Sequence, residues 1–247
     1  GIARQLEEQL REMAERAKDA PLAAAYRARE FFYDPGLETY SQLKKAVGKA
    51  GVWDVIRNPV MDYLETGKRP DILSAKAKSP EKTSLPETFC PASWPLPPTE
   101  LPVLKESWQR ERFPDTSALI EIAIKEGCHD DVLRWYRAER KVHSFGGDYE
   151  GEKVAQAIQS SHPEEALAIW KGLVAAEISH AKPSAYQIAG GYLKKMRKVY
   201  ESTKRTEEWS NYLALLRQEN NRRPRMLGVL NSVEGRKTRI ISKENHD

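Results

Sequence analysis

Residues 182–200 read KPSAYQIAGGYLKKMRKVY, and their spacing decides the class of fold. Tyr186, Ala189, Leu193, Met196 and Tyr200 recur at steps of three and four, the period of one α-helical face. Lys182-Pro183 opens the stripe, because proline lacks only an N–H that the first helical turn leaves unpaired. Gly190-Gly191 strips side-chain bulk from its middle and permits close approach of another helix.

The same grammar extends to both sides. Downstream, Thr206-Glu207-Glu208 is expected to cap a helix with the face Trp209, Leu213 and Leu216, and Arg223-Pro224 opens a last one through Leu227 and Leu230. Upstream, Ser161 and Glu164 have the spacing of a capping box ahead of Leu167, Trp170 and Val174. Before that, a turn from Gly146 to Gly151 leads into a short helix with Val154, Ala155 and Ile158. Asp115 is an expected N-cap for Leu119, Ile120, Ala123 and Ile124, closed by Gly127, and its partner helix runs from His129 through Val132, Leu133, Trp135 and Tyr136.

The N-terminal part repeats the pattern. Ile2, Leu6, Leu10, Met13 and Ala17 form one stripe, Asp19-Ala20-Pro21 restarts a helix carrying Leu22, Tyr26 and Phe31, and Asp34-Pro35-Gly36 is a turn. Leu37, Tyr40, Leu43 and Val47 form a third face, ended near Gly48 and Gly51. Trp53, Ile56, Val60 and Leu64 form a fourth, stopped by Gly67, in which Pro59 is expected to kink or split the helix.

One region breaks the rhythm. Seven prolines fall between Pro80 and Pro102 among Ser, Thr and Glu. Such a segment is a solvated spacer, a strap packed across the helices, or a polyproline II ligand; Phe89, Trp94, Leu96, Leu101 and Val103 are anchors a pure spacer would lack, and Trp94 decides. The expected organisation is therefore helical hairpins over 1–77, a proline-rich strap over 78–112, a helical-repeat array over 113–233 and a basic tail over 234–247. The expected class is all-α, an irregular αα-hairpin solenoid of the TPR or HEAT kind, whose stacked repeats offer an extended surface to partners. Trp53, Trp135, Trp170 and Trp209 mark its weak internal repeat.

Chemistry is sparse. Two cysteines, Cys90 and Cys128, suit a pair of intracellular thiols, no run approaches the roughly 18–20 apolar residues of a membrane span, and no signal peptide is visible, so a soluble cytoplasmic protein is expected. The stripe beginning at Ile2 behind Gly1 suggests a fragment of a longer protein. Cys128-His129 with Asp130 and Asp131 is the nearest approach to a metal set, but adjacent residues in a turn point apart, and His129 or Asp130 serves as a helix cap. His143, His162 and His180 read as turn or surface residues. There is no G-x-S-x-G elbow, and Gly146 to Gly151 lacks the Lys-Ser or Lys-Thr of a phosphate loop. Glu7-Glu8, Glu164-Glu165 and Glu207-Glu208 lie on helices, in the last two pairs in first turns. No enzyme, metal or cofactor is expected.

Charge is more informative. The chain carries 40 Lys and Arg against 36 Asp and Glu, yet residues 190–245 hold fourteen Lys or Arg against six Glu, an excess of eight. Lys194, Lys195, Arg197, Lys198, Lys204, Arg205, Arg222, Arg223, Arg225, Arg236, Lys237 and Arg239 are candidates to neutralise phosphates; the plainer reading is a solvated face and a basic tail. Tyr186, Tyr192, Trp209 and Tyr212 are candidates for a partner groove, against the alternative that stripe aromatics pack in the core.

Within Tyr186 to Val233, the run Tyr192-Leu193-Lys194-Lys195-Met196, then Glu208-Trp209, Tyr212-Leu213, Leu216-Arg217 and Arg222 to Leu230, resembles the helical region that follows the zinc finger in bacterial and archaeal SWIM zinc-finger proteins. The Leu119 to Trp135 pair is similar to it too. The family's zinc motif, two cysteines one residue apart followed by a cysteine and a histidine, is absent, so no residue inherits a metal role. The resemblance implies the helical part of a longer SWIM-like protein, with DNA and protein binding as context. The leading expectation is a non-catalytic protein-interaction scaffold; the alternative is nonspecific nucleic-acid binding through the basic C-terminal hairpins.

Overall fold

A computed structural model describes residues 2–70, 94–99, 113–142 and 150–235. Among them are eleven α-helices and no strand. They are α1 (Ile2–Arg16), α2 (Ala20–Tyr33), α3 (Leu37–Ala50), α4 (Trp53–Thr66), α5 (Thr116–Glu126), α6 (His129–Val142), α7 (Gly151–Ile158), α8 (Pro163–Ser179), α9 (Pro183–Ser202), α10 (Thr206–Glu219) and α11 (Pro224–Glu234). No helix among the described residues is long and apolar enough to cross a membrane.

The boundaries follow local chemistry. Asp19 Oδ1 accepts the Leu22 N–H at 3.0 Å and Asp115 Oδ1 accepts the Ala118 N–H at 3.1 Å, so α2 and α5 begin on side-chain caps. Gly51, Gly67, Gly127 and Gly235 end α3, α4, α5 and α11 in the left-handed conformation, which glycine alone adopts without penalty.

Three expectations about helix ends and breaks change. Helix α4 runs unbroken through Pro59. Ser161 is not the N-cap of α8: Pro163 takes the first helical position it favours, which makes His162 the cap residue, and Ser161 Oγ turns back to the Ile158 carbonyl at 3.2 Å. Thr206 is likewise the first residue of α10 rather than its cap, and the cap residue is Arg205.

The chain forms two compact units, Gly1–Asp131 and Val132–Asp247, divided within α6. In the first unit α1 to α4 pack in sequence and α5 lies on both α3 and α4. The sequence places α5 at the start of the C-terminal array; its docking on α3 and α4 assigns it here instead. The core is aromatic: Phe31, Phe32, Tyr40 and Tyr63 are buried, and the Phe32 and Tyr63 rings meet edge to face with centroids 4.9 Å apart.

The described part of the proline-rich segment, residues 94–99, packs on this core. The Trp94 ring lies 5.8 Å from that of Phe32, Leu96 is 4% exposed, and Arg29 Nη1 donates to Thr99 Oγ1 at 3.3 Å. These residues therefore lie against the helices of the first unit. The rest of 78–112 lies outside the described residues; Phe113 follows, with its ring 5.3 Å from that of Tyr63.

In the second unit α7, α8 and α9 pack consecutively, and α9 contacts both α10 and α11. A Cβ on Gly190 would come within 2.7 Å of Val229 Cγ1, so the missing side chain is what lets α11 approach α9. Further along both helices, Arg197 Nη1 donates to the Val233 carbonyl at 3.0 Å, so α9 and α11 run parallel. Trp170, Leu193, Met196, Tyr200, Met226 and Leu230 fill the interior, each Leu or Met worth roughly 1.5–3 kcal/mol of transfer free energy.

Candidate functional site

The densest polar cluster among the described residues is in the first unit. Tyr40 and Lys44 stand one turn apart on α3, Arg57 comes from α4, and Glu126 ends α5. The Glu126 carboxylate accepts from Lys44 Nζ at 2.6 Å, from the Tyr40 hydroxyl at 2.8 Å and from Arg57 Nη2 at 2.9 Å. Trp53 closes one side: its ring meets that of Tyr40 at 5.6 Å, and the Lys44 ammonium lies 5.4 Å from its centroid.

Burial by itself would push the Glu126 carboxyl up, but the hydrogen bonds from Lys44, Arg57 and Tyr40 outweigh it and hold the pKa at about 2. Burial, then the hydrogen bond to Glu126, pushes the Tyr40 phenol well above its ordinary value. Neither group changes protonation near neutral pH. The cluster fastens α5 to α3 and α4. The sequence shows only the Tyr40 and Lys44 spacing, because Glu126 lies 82 residues beyond Lys44.

Of the twelve basic residues singled out by sequence, Arg236, Lys237 and Arg239 lie outside the described residues, and the other nine do not act alike. Lys195 Nζ donates to Glu152 at 2.5 Å, joining α9 to α7. The Arg205 guanidinium holds Glu164 of α8 and Glu208 of α10, the latter pair with one bond at 2.6 Å. Arg223 Nη1 donates to the Ile178 carbonyl at the end of α8 at 3.0 Å. These three cations are committed within the fold, as is Arg197, which donates to Glu201 and to the Val233 carbonyl. Lys194 and Lys198 are exposed one turn apart on α9, Lys204 precedes α10, and Arg222 and Arg225 are exposed beyond its other end.

The four candidate groove aromatics are also redistributed. Tyr186 and Trp209 are buried, so they are core rather than a surface for a partner. Tyr192 is half-buried, its hydroxyl 3.5 Å from Glu152. Tyr212 is half-buried beside Trp209, and the Lys171 ammonium lies 5.2 Å from its ring centroid. Burial, then the nearby Tyr200 and Glu219, pushes its phenol upward.

A cleft of about 500 Å³ opens between α9, α10 and α11 over Tyr200, Trp209 and Leu213. Its rim arginines are engaged: Arg197 Nε with Glu201 at 2.7 Å, Arg217 Nη2 with Glu234 at 2.7 Å and Asn231 at 2.9 Å. No group of three or more His, Cys, Asp or Glu side chains able to hold a metal converges among the described residues, the Cys128 to Asp131 run included. Cys128 is a half-buried free thiol. No protein-family model, curated protein or solved structure matches the chain.

Proposed function

We propose that the chain is a non-catalytic protein-interaction scaffold, a divergent solenoid of helical hairpins serving as the helical part of a longer SWIM-like protein. The observation that carries the interaction reading is the setting of α1. Glu7 reaches Arg29 at 2.9 Å, Arg11 lies 3.8 Å from Glu30, and Ala14 is buried, so this charged and small-residue face is the one turned to α2. The apolar stripe sits about 100° further round the helix. Leu6 and Met13 on it are 45% and 63% exposed. Leu10, between the two faces, is half-buried, so Leu6 and Met13 are the part of the apolar stripe left for another protein.

The test is a double substitution, Leu6→Glu with Met13→Glu, in quantitative affinity purification. A bound protein lost from the variant at unchanged melting temperature is the expected outcome. Identical recovery from both forms sinks the reading.

A second reading, nonspecific nucleic-acid binding, is favoured by the exposed Lys194, Lys198, Lys204, Arg222 and Arg225, for which the described residues supply no ion pair. Absence of duplex DNA binding even at low salt would remove it.

A further inference from the structure

We propose that the first unit carries an anion-binding cleft between the α1–α2 turn and α3, and that its ligand is a small, multiply charged phosphate compound of the pyrophosphate or bisphosphorylated-metabolite class. The cleft encloses about 540 Å³ and stands apart from both the Glu126 cluster and the α1 stripe.

Its charge is the first argument. Lys18, Arg27, Lys45 and Lys49 line it against Glu15 and Asp19, an excess of two positive charges. Two of these groups are already committed: Asp19 caps α2, and Arg27 holds Glu30 at 2.7 Å and the Gln42 side chain. The ammonium groups of Lys18, Lys45 and Lys49 have no ion-pair partner among the described residues. This protein pairs cations across helices elsewhere, Lys44 with Glu126, Arg137 with Glu165 and Lys195 with Glu152. Here three lysines without such a partner among the described residues line one concavity, and that convergence is what sets them apart from single exposed cations.

Placement is the second. Lys45 and Lys49 occupy successive turns of one α3 face, where like charges repel. Lys44, their sequence neighbour, points instead to Glu126. The α3 lysines thus divide between a closed ion cluster and an open cleft. A polyanion seated between Lys18 on one wall and Lys45 and Lys49 on the other would relieve the repulsion on both.

The remaining lining names the ligand class. The apolar part consists of the methyls of Ala20, Ala23 and Ala46, with no aromatic ring to stack on a base, so recognition rests on charge. The volume suits a small molecule rather than an extended nucleic-acid backbone.

Titration calorimetry of the whole chain with inorganic pyrophosphate tests this. Saturable one-to-one binding at low salt is expected, weakened about tenfold or more by Lys45→Ala with Lys49→Ala, largely retained by Lys45→Arg with Lys49→Arg, and unaffected by Lys194→Ala with Lys198→Ala. Lys18→Ala, on the opposite wall, is expected to weaken binding independently, and it carries the test should the double alanine variant fail to fold. No saturable binding at millimolar pyrophosphate overturns the proposal. So does binding that neither alanine variant weakens, or binding of an oligonucleotide through these lysines with none for pyrophosphate.

Discussion

Glu126 is a carboxylate whose three donors come from two other helices, and its worth depends on its being ionised. Its folded pKa of about 2 lies below the ordinary carboxylate value, so the contribution is complete above the ordinary value and is lost as pH falls from about 4.5 towards 2. Glu126→Gln is expected to cost about 2 kcal/mol at pH 7. Denaturant midpoints of both forms, measured from pH 7 to pH 3, should draw together below about pH 4.5, as the unfolded chain takes up a proton that native Glu126 still refuses; a gap independent of pH would show that the charge is not what matters. This cluster was hardly legible in the sequence. Helical spacing puts Tyr40 beside Lys44, but the partner's identity depends on how α5 docks, which no local pattern encodes. Caps were better read where the side chain acts on its own helix, as at Asp19 and Asp115, and misread at Ser161, where a proline two residues on moved the helix start.

The adjacent glycines of α9 make opposite demands on the same substitution. Gly190 faces Val229, whereas a Cβ on Gly191 would meet nothing within 4 Å. Gly191→Ala is expected to stabilise by about 0.5–1 kcal/mol through helix propensity. Gly190→Ala is expected to cost about 1–2 kcal/mol, because Val229 is buried and its methyl must be displaced. Thermal melts of the two variants should shift in opposite directions; a rise for both would mean that α11 moves freely off α9. The Gly-Gly pair was visible in the sequence as a point of close approach, but which of the two is pressed against a neighbour requires the register of α11. Helix existence was legible throughout because each apolar stripe is complete within its own segment. The continuity of α4 through Pro59 was not, since burial of Ile56, Val60 and Leu64 on both sides of the proline holds the helix together.

Across the whole chain, the all-helical class and the packing of sequence neighbours were readable, and the strap's attachment was readable as far as Trp94. The assignment of α5 was not, because a strap between α4 and α5 looks like a boundary even when both flanks pack together. The basic C-terminal region shows the same limit in its charges. Lys204 and Arg222 are separated by α10, a helix of 14 residues, or about 20 Å. With Lys195, Arg197, Arg205 and Arg223 committed internally, five of the nine described candidates remain for phosphates. If the chain binds duplex DNA through these five residues, the slope of log affinity against log salt is expected to be no steeper than about 4–5, near 0.9 per contact. A steeper slope would require further cations, from the basic 236–243 segment or from opened internal ion pairs.

The inverted docking of α1 has a consequence for how this protein can vary. Along most helices the residues that keep the chain folded are the apolar ones, and surface charges drift. On α1 the order is reversed: Glu7 and Arg11 face α2, while Leu6 and Met13 face outward. Abundance and partnership thus come apart within a single helix, so that damage at Glu7 or Arg11 would deplete the protein, whereas damage at Leu6 or Met13 would leave it plentiful and solitary.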